Sequence, residues 1–175
     1  MSKINIDYEK SFTLVNKWLK NSVYHDTLEK SSNYKGLIYA GYNWRLKKWT
    51  WLYSEITGYA ISVYLCLYRW TGKAKCYSLA REAGNALLRF QCNKLNLLQF
   101  GAIPHSICTP GLEIEERYFS FDNAMILNGL CDLYKISHDD SYLMAAIKIG
   151  RWLVTEMQCQ NGSFMAVYNA QSSSK

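Results

Sequence analysis

The sequence predicts an all-α protein built from repeated helical hairpins, and three observations carry that reading. Nearly half of the 175 residues are hydrophobic and only two are proline, Pro104 and Pro110, as expected of one packed domain with few obligatory breaks. Long segments place apolar residues at helical spacing. Short pieces of sequence also recur along the chain at a nearly constant distance.

The first helix runs from about Tyr8 to Ser22, with Phe12, Val15, Trp18 and Leu19 on one face and Lys10, Lys17 and Lys20 on the other. Gly36 to Trp44 is rich in glycine, aromatics and turn formers, and Lys47 to Trp51 continues it, which suggests a short hairpin or ordered loop presenting aromatics. The second helix starts at Ser54, a good N-cap residue, and stops near Trp70, where Thr71-Gly72 ends it. Its interior is apolar around most of its circumference, so burial on nearly all sides is expected, as for an inner helix. The third, from about Lys75 to Cys92, has one apolar face and reads as an outer helix. The pattern then recurs. Ser120 begins a second inner helix that ends near Ser137-His138-Asp139, and an amphipathic helix follows from about Asp140 to Gln158.

Leu67-Tyr68 matches Leu133-Tyr134, Gln91 matches Gln158, and Gly101-Ala102-Ile103 matches Gly162-Ser163-Phe164, at offsets of 61 to 67 residues. Helical pairs alternating buried and half-buried members are what an α/α toroid or an α-solenoid requires, because each pair covers its neighbour. Residues 1–170 read as a single domain of this kind, with 171–175 a polar tail expected to be disordered.

Composition narrows the functional classes. The net charge of +6 comes from scattered Lys and Arg with no basic stripe or reader motif, so no nucleic-acid partner is expected. The longest apolar stretch, Tyr59 to Tyr68, is about half of the roughly 20 residues a membrane span needs, so no membrane partner is expected either. An N-terminus without a signal-like apolar region, and six dispersed cysteines without a C-x-x-C pair, lead to the expectation of a cytoplasmic protein with reduced thiols. His105 and Cys108 supply two metal ligands at most, and no phosphate cradle, dinucleotide fingerprint or hydrolase elbow occurs; no metal or cofactor is expected.

Tyr53-Ser54-Glu55-Ile56-Thr57-Gly58-Tyr59 and Tyr118-Phe119-Ser120-Phe121-Asp122, with the turn Gln158-Cys159-Gln160-Asn161-Gly162 after an outer helix, resemble proteins of the (α/α)6-toroid, six-hairpin glycosidase-like type. The resemblance covers about Gly36 to Tyr168 and implies an incomplete ring of about two and a half hairpins with short β-hairpin-like loops. It also implies carbohydrate as ligand, as an oligo- or polysaccharide. The reaction type stays open among glycoside hydrolase, polysaccharide lyase and sugar epimerase, because the architecture serves all of these and proteins without activity.

In such a toroid, Glu55 and Asp122 stand in the first turns of inner helices and could face one funnel, as the two carboxylates that acid/base work on a glycosidic bond needs. The same acids also suit the positive end of a helix dipole. His105, in a turn after an outer helix, is an accessory acid or base. Tyr42, Trp44, Trp51, Tyr53 and Tyr118 are the candidate sugar-stacking residues, and packing of loops over helix ends is the alternative use of the same side chains. A non-catalytic binding scaffold, or a remnant that self-associates as a homodimer through its open apolar flank, is the competing reading.

Overall fold

The computed structural model describes residues 7–24, 33–109 and 111–170. The expected polar tail, 171–175, lies outside the described residues. Helix α1 (Tyr8–Asn21) is followed by strands β1 (Ile38–Tyr39), β2 (Tyr42–Asn43), β3 (Lys48–Trp49) and β4 (Leu52–Tyr53), then by the pair α2 (Ser54–Thr71) and α3 (Ala74–Phe90). Strands β5 (Ser106–Cys108), β6 (Glu113–Glu115) and β7 (Arg117–Phe119) lead into α4 (Ser120–Ser137) and α5 (Asp140–Trp152). A π turn, Leu153–Met157, extends α5, and β8 (Val167–Asn169) closes the series. The strands form small antiparallel sheets, ordered β1-β4-β5-β6, β2-β3 and β7-β8, at the N-terminal ends of α2 and α4. Among the described residues no helix is long and apolar enough to cross a membrane.

The inner helices begin at Ser54 and Ser120, but the serines do not cap them as expected: Tyr53 and Phe119 hold the N-cap positions without a side-chain bond, and the serine hydroxyls are turned to other carbonyls. Both inner helices end on a residue in the left-handed conformation, Gly72 and His138, whose N–H bonds the carbonyl of Tyr68 or Tyr134 and satisfies an orphan acceptor. The two inner helices touch at bare backbone: a Cβ on Gly58 would lie 2.8 Å from Cα of Ile126, and one on Gly129 would lie 2.5 Å from the Gly58 carbonyl. Ile61, Tyr64, Leu65, Ile126, Leu130 and Leu133 fill the main core around that contact. A second, smaller cluster gathers Ala102, Tyr118, Trp152 and Met157.

Two expectations about surfaces are corrected. Helix α2 is not enclosed on all sides, since Tyr59, Val63 and Trp70 are exposed along one face, away from the side on which α4 packs. Helix α1 buries Phe12 and Leu19 only in part and leaves Val15 and Trp18 exposed, because its core contacts come mainly through Val23 and Tyr24 just beyond it.

The repeat is real in three dimensions. Three turns follow outer helices, at Gly36, Gly101 and Gly162, all with positive φ. Each is closed by a backbone bond to a residue two or three positions beyond the preceding helix: Gly36 N–H to the Tyr24 carbonyl, Gly101 to Cys92, Gly162 to Cys159. Inner helices are offset by 66 residues, Ser54 against Ser120; Gln91 and Gln158 are offset by 67 because the π turn accommodates one extra residue. The offset falls to 61 at the glycines, where Cys159 to Gly162 is a much shorter link than Cys92 to Gly101.

A side-chain device ties these turns to the inner helices. Ser54 Oγ donates to the Pro104 carbonyl at 2.6 Å, in the second turn, while Thr57 Oγ1 accepts from Ile38 N–H at 3.0 Å, in the first. One repeat later Ser120 Oγ donates to the Met165 carbonyl at 2.5 Å, and Asn123 Oδ1 accepts from Ile103 N–H at 2.8 Å. The first residue of each inner helix thus holds the turn that follows, and the fourth holds the turn before it.

Candidate functional site

The second turn carries His105, and it is the most firmly held of the three. Asn123, fully buried, closes a two-point clamp on the Ile103 peptide by also donating Nδ2 to its carbonyl at 3.0 Å. Ser54 N–H donates to the His105 carbonyl at 3.1 Å, and His105 N–H donates to the Arg117 carbonyl at 2.8 Å. Backbone groups so paired fix where the imidazole sits.

His105 Nδ1 lies 2.6 Å from Asp122 Oδ2. The Asp122 side chain is almost wholly buried and that of His105 is 17% exposed, so the bond forms largely away from water. A carboxylate on Nδ1 favours the tautomer that leaves Nε2 free to take a proton. Two rings pack against it, Tyr53 at 4.6 Å and 66° and Phe119 at 4.7 Å and 47° between centroids and planes. These contacts limit its rotation.

Tyr53 joins the second carboxylate to this pair. Burial raises the pKa of its phenol well above the usual value, and Glu55 and Asp122, both within hydrogen-bonding influence of the hydroxyl, raise it further. Both carboxylates thus lie near the phenol. The phenol is therefore a neutral proton donor between two acids. Glu55 and Asp122 do not occupy equivalent places in the repeat: with Ser54 matched to Ser120, Glu55 corresponds to Phe121 and Asp122 to Ile56. They meet because they come from opposite sides of the second turn.

Beside His105 opens a cavity of about 500 Å³, lined by Trp49, Trp51, Ser106, Glu115 and Arg117 among others. Glu115 accepts from Ser106 Oγ at 2.5 Å and is paired with the Arg117 guanidinium. Burial pushes its carboxyl pKa upward, but the bonds from Ser106 and Arg117, with His105 nearby, outweigh that and hold it below the ordinary Glu value. The cavity thus offers apolar indole surface and one matched charge pair. These features suit a polyhydroxylated ligand with apolar ring faces.

Of the residues named from sequence, Glu55, Asp122, His105 and Tyr53 converge, and Trp51 lines the adjoining cavity. Tyr42 lines a separate shallow basin with Trp18 and Trp49, and Trp44 is exposed with Arg45 over its ring. Tyr118 is placed elsewhere from the expected stacking position: it is buried against Trp152 and Tyr168, and burial, with Cys92 and Glu116, pushes its pKa up to about 12. It stands on the opposite face of β7 from Arg117 and Phe119, and strand alternation turns it into the core. Glu115, Arg117 and Ser106 were missed. The charged run Glu113 to Arg117 reads as a solvated loop, and only the alternation of β6 and β7 could have singled out the two that turn toward the site.

The sequence matches no protein-family model and no curated protein. The structure resembles the GH76 α-mannanase of Bacteroides thetaiotaomicron, with a TM-score of 0.69 at 19% identity over 95% of this chain and 44% of that one. It also resembles a sugar epimerase from a ruminal bacterium, with a TM-score of 0.70 at 13% identity over 90% of this chain and 38% of that one. The cellobiose 2-epimerase of Spirochaeta thermophila aligns at 0.61 and 13% identity over 71% of this chain and 31% of that one. The chain spans less than half the length of each of these proteins. At such identities the likeness is one of fold: the chain folds as helical hairpins of the α/α-toroid type, with short β-hairpins at the inner-helix ends.

Proposed function

We propose that the chain binds a saccharide in the cavity under Trp51 and that His105, oriented by Asp122, exchanges a proton with the bound sugar. The observation that carries this is the 2.6 Å bond between His105 and a buried carboxylate on the wall of an aromatic-lined cavity. An imidazole bonded at Nδ1 to a buried carboxylate and lining a ligand-sized cavity suits general acid/base catalysis. Tyr53, kept neutral, and Glu55 supply a second proton path on the far side of the ring. A mannanase and two epimerases as structural neighbours add support for a sugar as the ligand.

The test uses ligand-observed NMR with neutral and uronic oligosaccharides at millimolar concentration, followed by product analysis. Binding that Trp51→Ala weakens about tenfold or more, on the scale of a lost aromatic contact, supports the site. Asp122→Asn is expected to retain binding and lose turnover by at least about 100-fold, the scale of a misplaced general base. Binding without turnover in the native chain would favour a glycan-binding module. No binding to any sugar would remove the carbohydrate reading.

A further inference from the structure

We propose that the basin formed by Trp18, Tyr42 and Trp49 is a second saccharide subsite, which takes the far end of an oligosaccharide whose first units sit in the cavity beside His105. The proposal rests on the reading of that cavity as a sugar site. It adds a length and a direction to the ligand: a chain of several linked rings that passes Trp49 toward α1.

The two spaces share a wall. Trp49 lines the cavity with Trp51 and His105, and it lines the basin, of about 550 Å³, with Trp18, Lys20, Asn21 and Tyr42. Three rings hold this indole: Tyr39 stacks on it at 5.4 Å and 18°, Tyr42 meets it edge-on at 5.1 Å and 70°, and Trp18 stands 6.0 Å away. The backbone beneath is also fixed. Tyr42 pairs with Trp49 across β2 and β3, Thr50 donates both its N–H and its Oγ1 to the Gly41 carbonyl at 3.0 Å, and Thr109 Oγ1 donates to the Thr50 carbonyl at 2.8 Å. Trp49 and Trp51 therefore keep their spacing, and the Trp18 contact brings α1 to the same ribbon.

The rings around Trp49 are open where it is packed. Trp18 is 50% exposed and Tyr42 46%, close to the 47% of Trp51 at the cavity. Half-exposed aromatics beyond a fixed indole supply apolar platforms, and Lys20 and Asn21 place an ammonium and an amide at the basin as hydrogen-bond donors. Linked sugar rings, each with an apolar face and a hydroxylated edge, match that composition. Leu14 and Val15, one turn earlier on the same side of α1, are exposed as well. A second copy of the chain seated on Leu14, Val15 and Trp18 is the competing occupant; the polar donors and the shared indole favour the sugar.

The test titrates the chain, labelled with nitrogen-15 at tryptophan, with manno-, cello- and galacturonic oligosaccharides, and follows each indole N–H signal by NMR. Over a series of roughly one to six units, short sugars are expected to shift the Trp51 signal alone and longer ones to shift Trp18 too, with affinity rising at least about tenfold as the second contact joins the first. Trp18→Ala should remove that rise and leave the affinity for short sugars unchanged, while Trp18→Phe, which keeps a ring, should retain most of it. Affinity that stays level with length, with Trp51 shifting and Trp18 still, overturns the subsite and leaves the cavity reading intact. A response at Trp18 with none at Trp51 overturns the cavity reading and the continuous path with it, and no response at either overturns both. A Trp18 signal that moves with protein concentration in the absence of sugar, with a dimer in sedimentation, overturns the subsite in favour of a second copy.

Discussion

At Gly101 the chain turns beneath a covering helix, with the Lys148 backbone against the glycine and Asn123 gripping the next peptide but one; at Gly162 the same turn faces open space. The chemistry follows that difference. The covered turn carries His105, and its counterparts in the other turns are Ala40 and Ala166. A group that must hold Nδ1 at 2.6 Å from a carboxylate needs a backbone that does not move, and among the described residues only the second turn is gripped from both neighbouring inner helices at once.

The sharpest way to break this comparison is to put the same substitution in both turns. Gly101→Ala combines strain at φ +90° with a clash on backbone that cannot retreat, and a loss of about 3 kcal/mol or more is expected from urea unfolding. Gly162→Ala meets only the strain, about 1 kcal/mol. Equal losses would mean that the covering helix contributes nothing. Asn123→Ala comes next: it leaves both polar groups of the Ile103 peptide buried without partners, and about 2–4 kcal/mol should be lost in the same assay. It should also broaden the His105 ring signals in NMR spectra, since the turn that aims the imidazole is released.

Gly84 and Gly150, at matching places in the two outer helices, give a smaller effect with opposite signs. Gly84→Ala overpacks against Leu133 and Tyr142 and is expected to destabilise by about 1–3 kcal/mol. Gly150→Ala has room and should stabilise by about 0.5–1 kcal/mol through helix propensity, read as a rise in thermal midpoint. The smallest expected effect concerns pH. The Glu115 pKa is lowered on folding, so its contribution is present above the ordinary Glu pKa and is lost as pH falls through the depressed value. Glu115→Gln should therefore lower stability slightly at neutral pH, leave the acid end of the curve unchanged and so flatten the acid limb between them, as denaturant titrations at successive pH values would record.

Much of the architecture was legible because it rests on local chemistry. Ser54 and Ser120 mark where their helices begin, although as first helical residues and not as caps; Gly72 ends one, and the matched pieces around Gly101 and Gly162 mark the same turn twice. The site was half legible. Glu55 and Asp122 show themselves as acids in first turns, but their meeting at Tyr53 depends on a one-residue stagger between helices 66 positions apart, which no local pattern encodes. Tyr118 was misplaced for a related reason: in a strand of three residues, the choice of inward face is made by the neighbours. Glu115 and Arg117 look like solvated charges until β6 is paired with β5 and brings Ser106 opposite Glu115.

The π turn at the end of α5 has a consequence for how this architecture tolerates change in length. An additional residue in an outer helix would ordinarily rotate everything after it by about 100° and carry the next turn off the inner helix that holds it. Here Leu153–Met157 widens by one residue, and Gln158 and Cys159 still reach the turn in the positions that Gln91 and Cys92 take one repeat earlier. Single-residue insertions in an outer helix are thus absorbed where they arise, before they reach the loops, and the outer wall can drift in sequence length while the end of the molecule that holds His105 keeps its geometry.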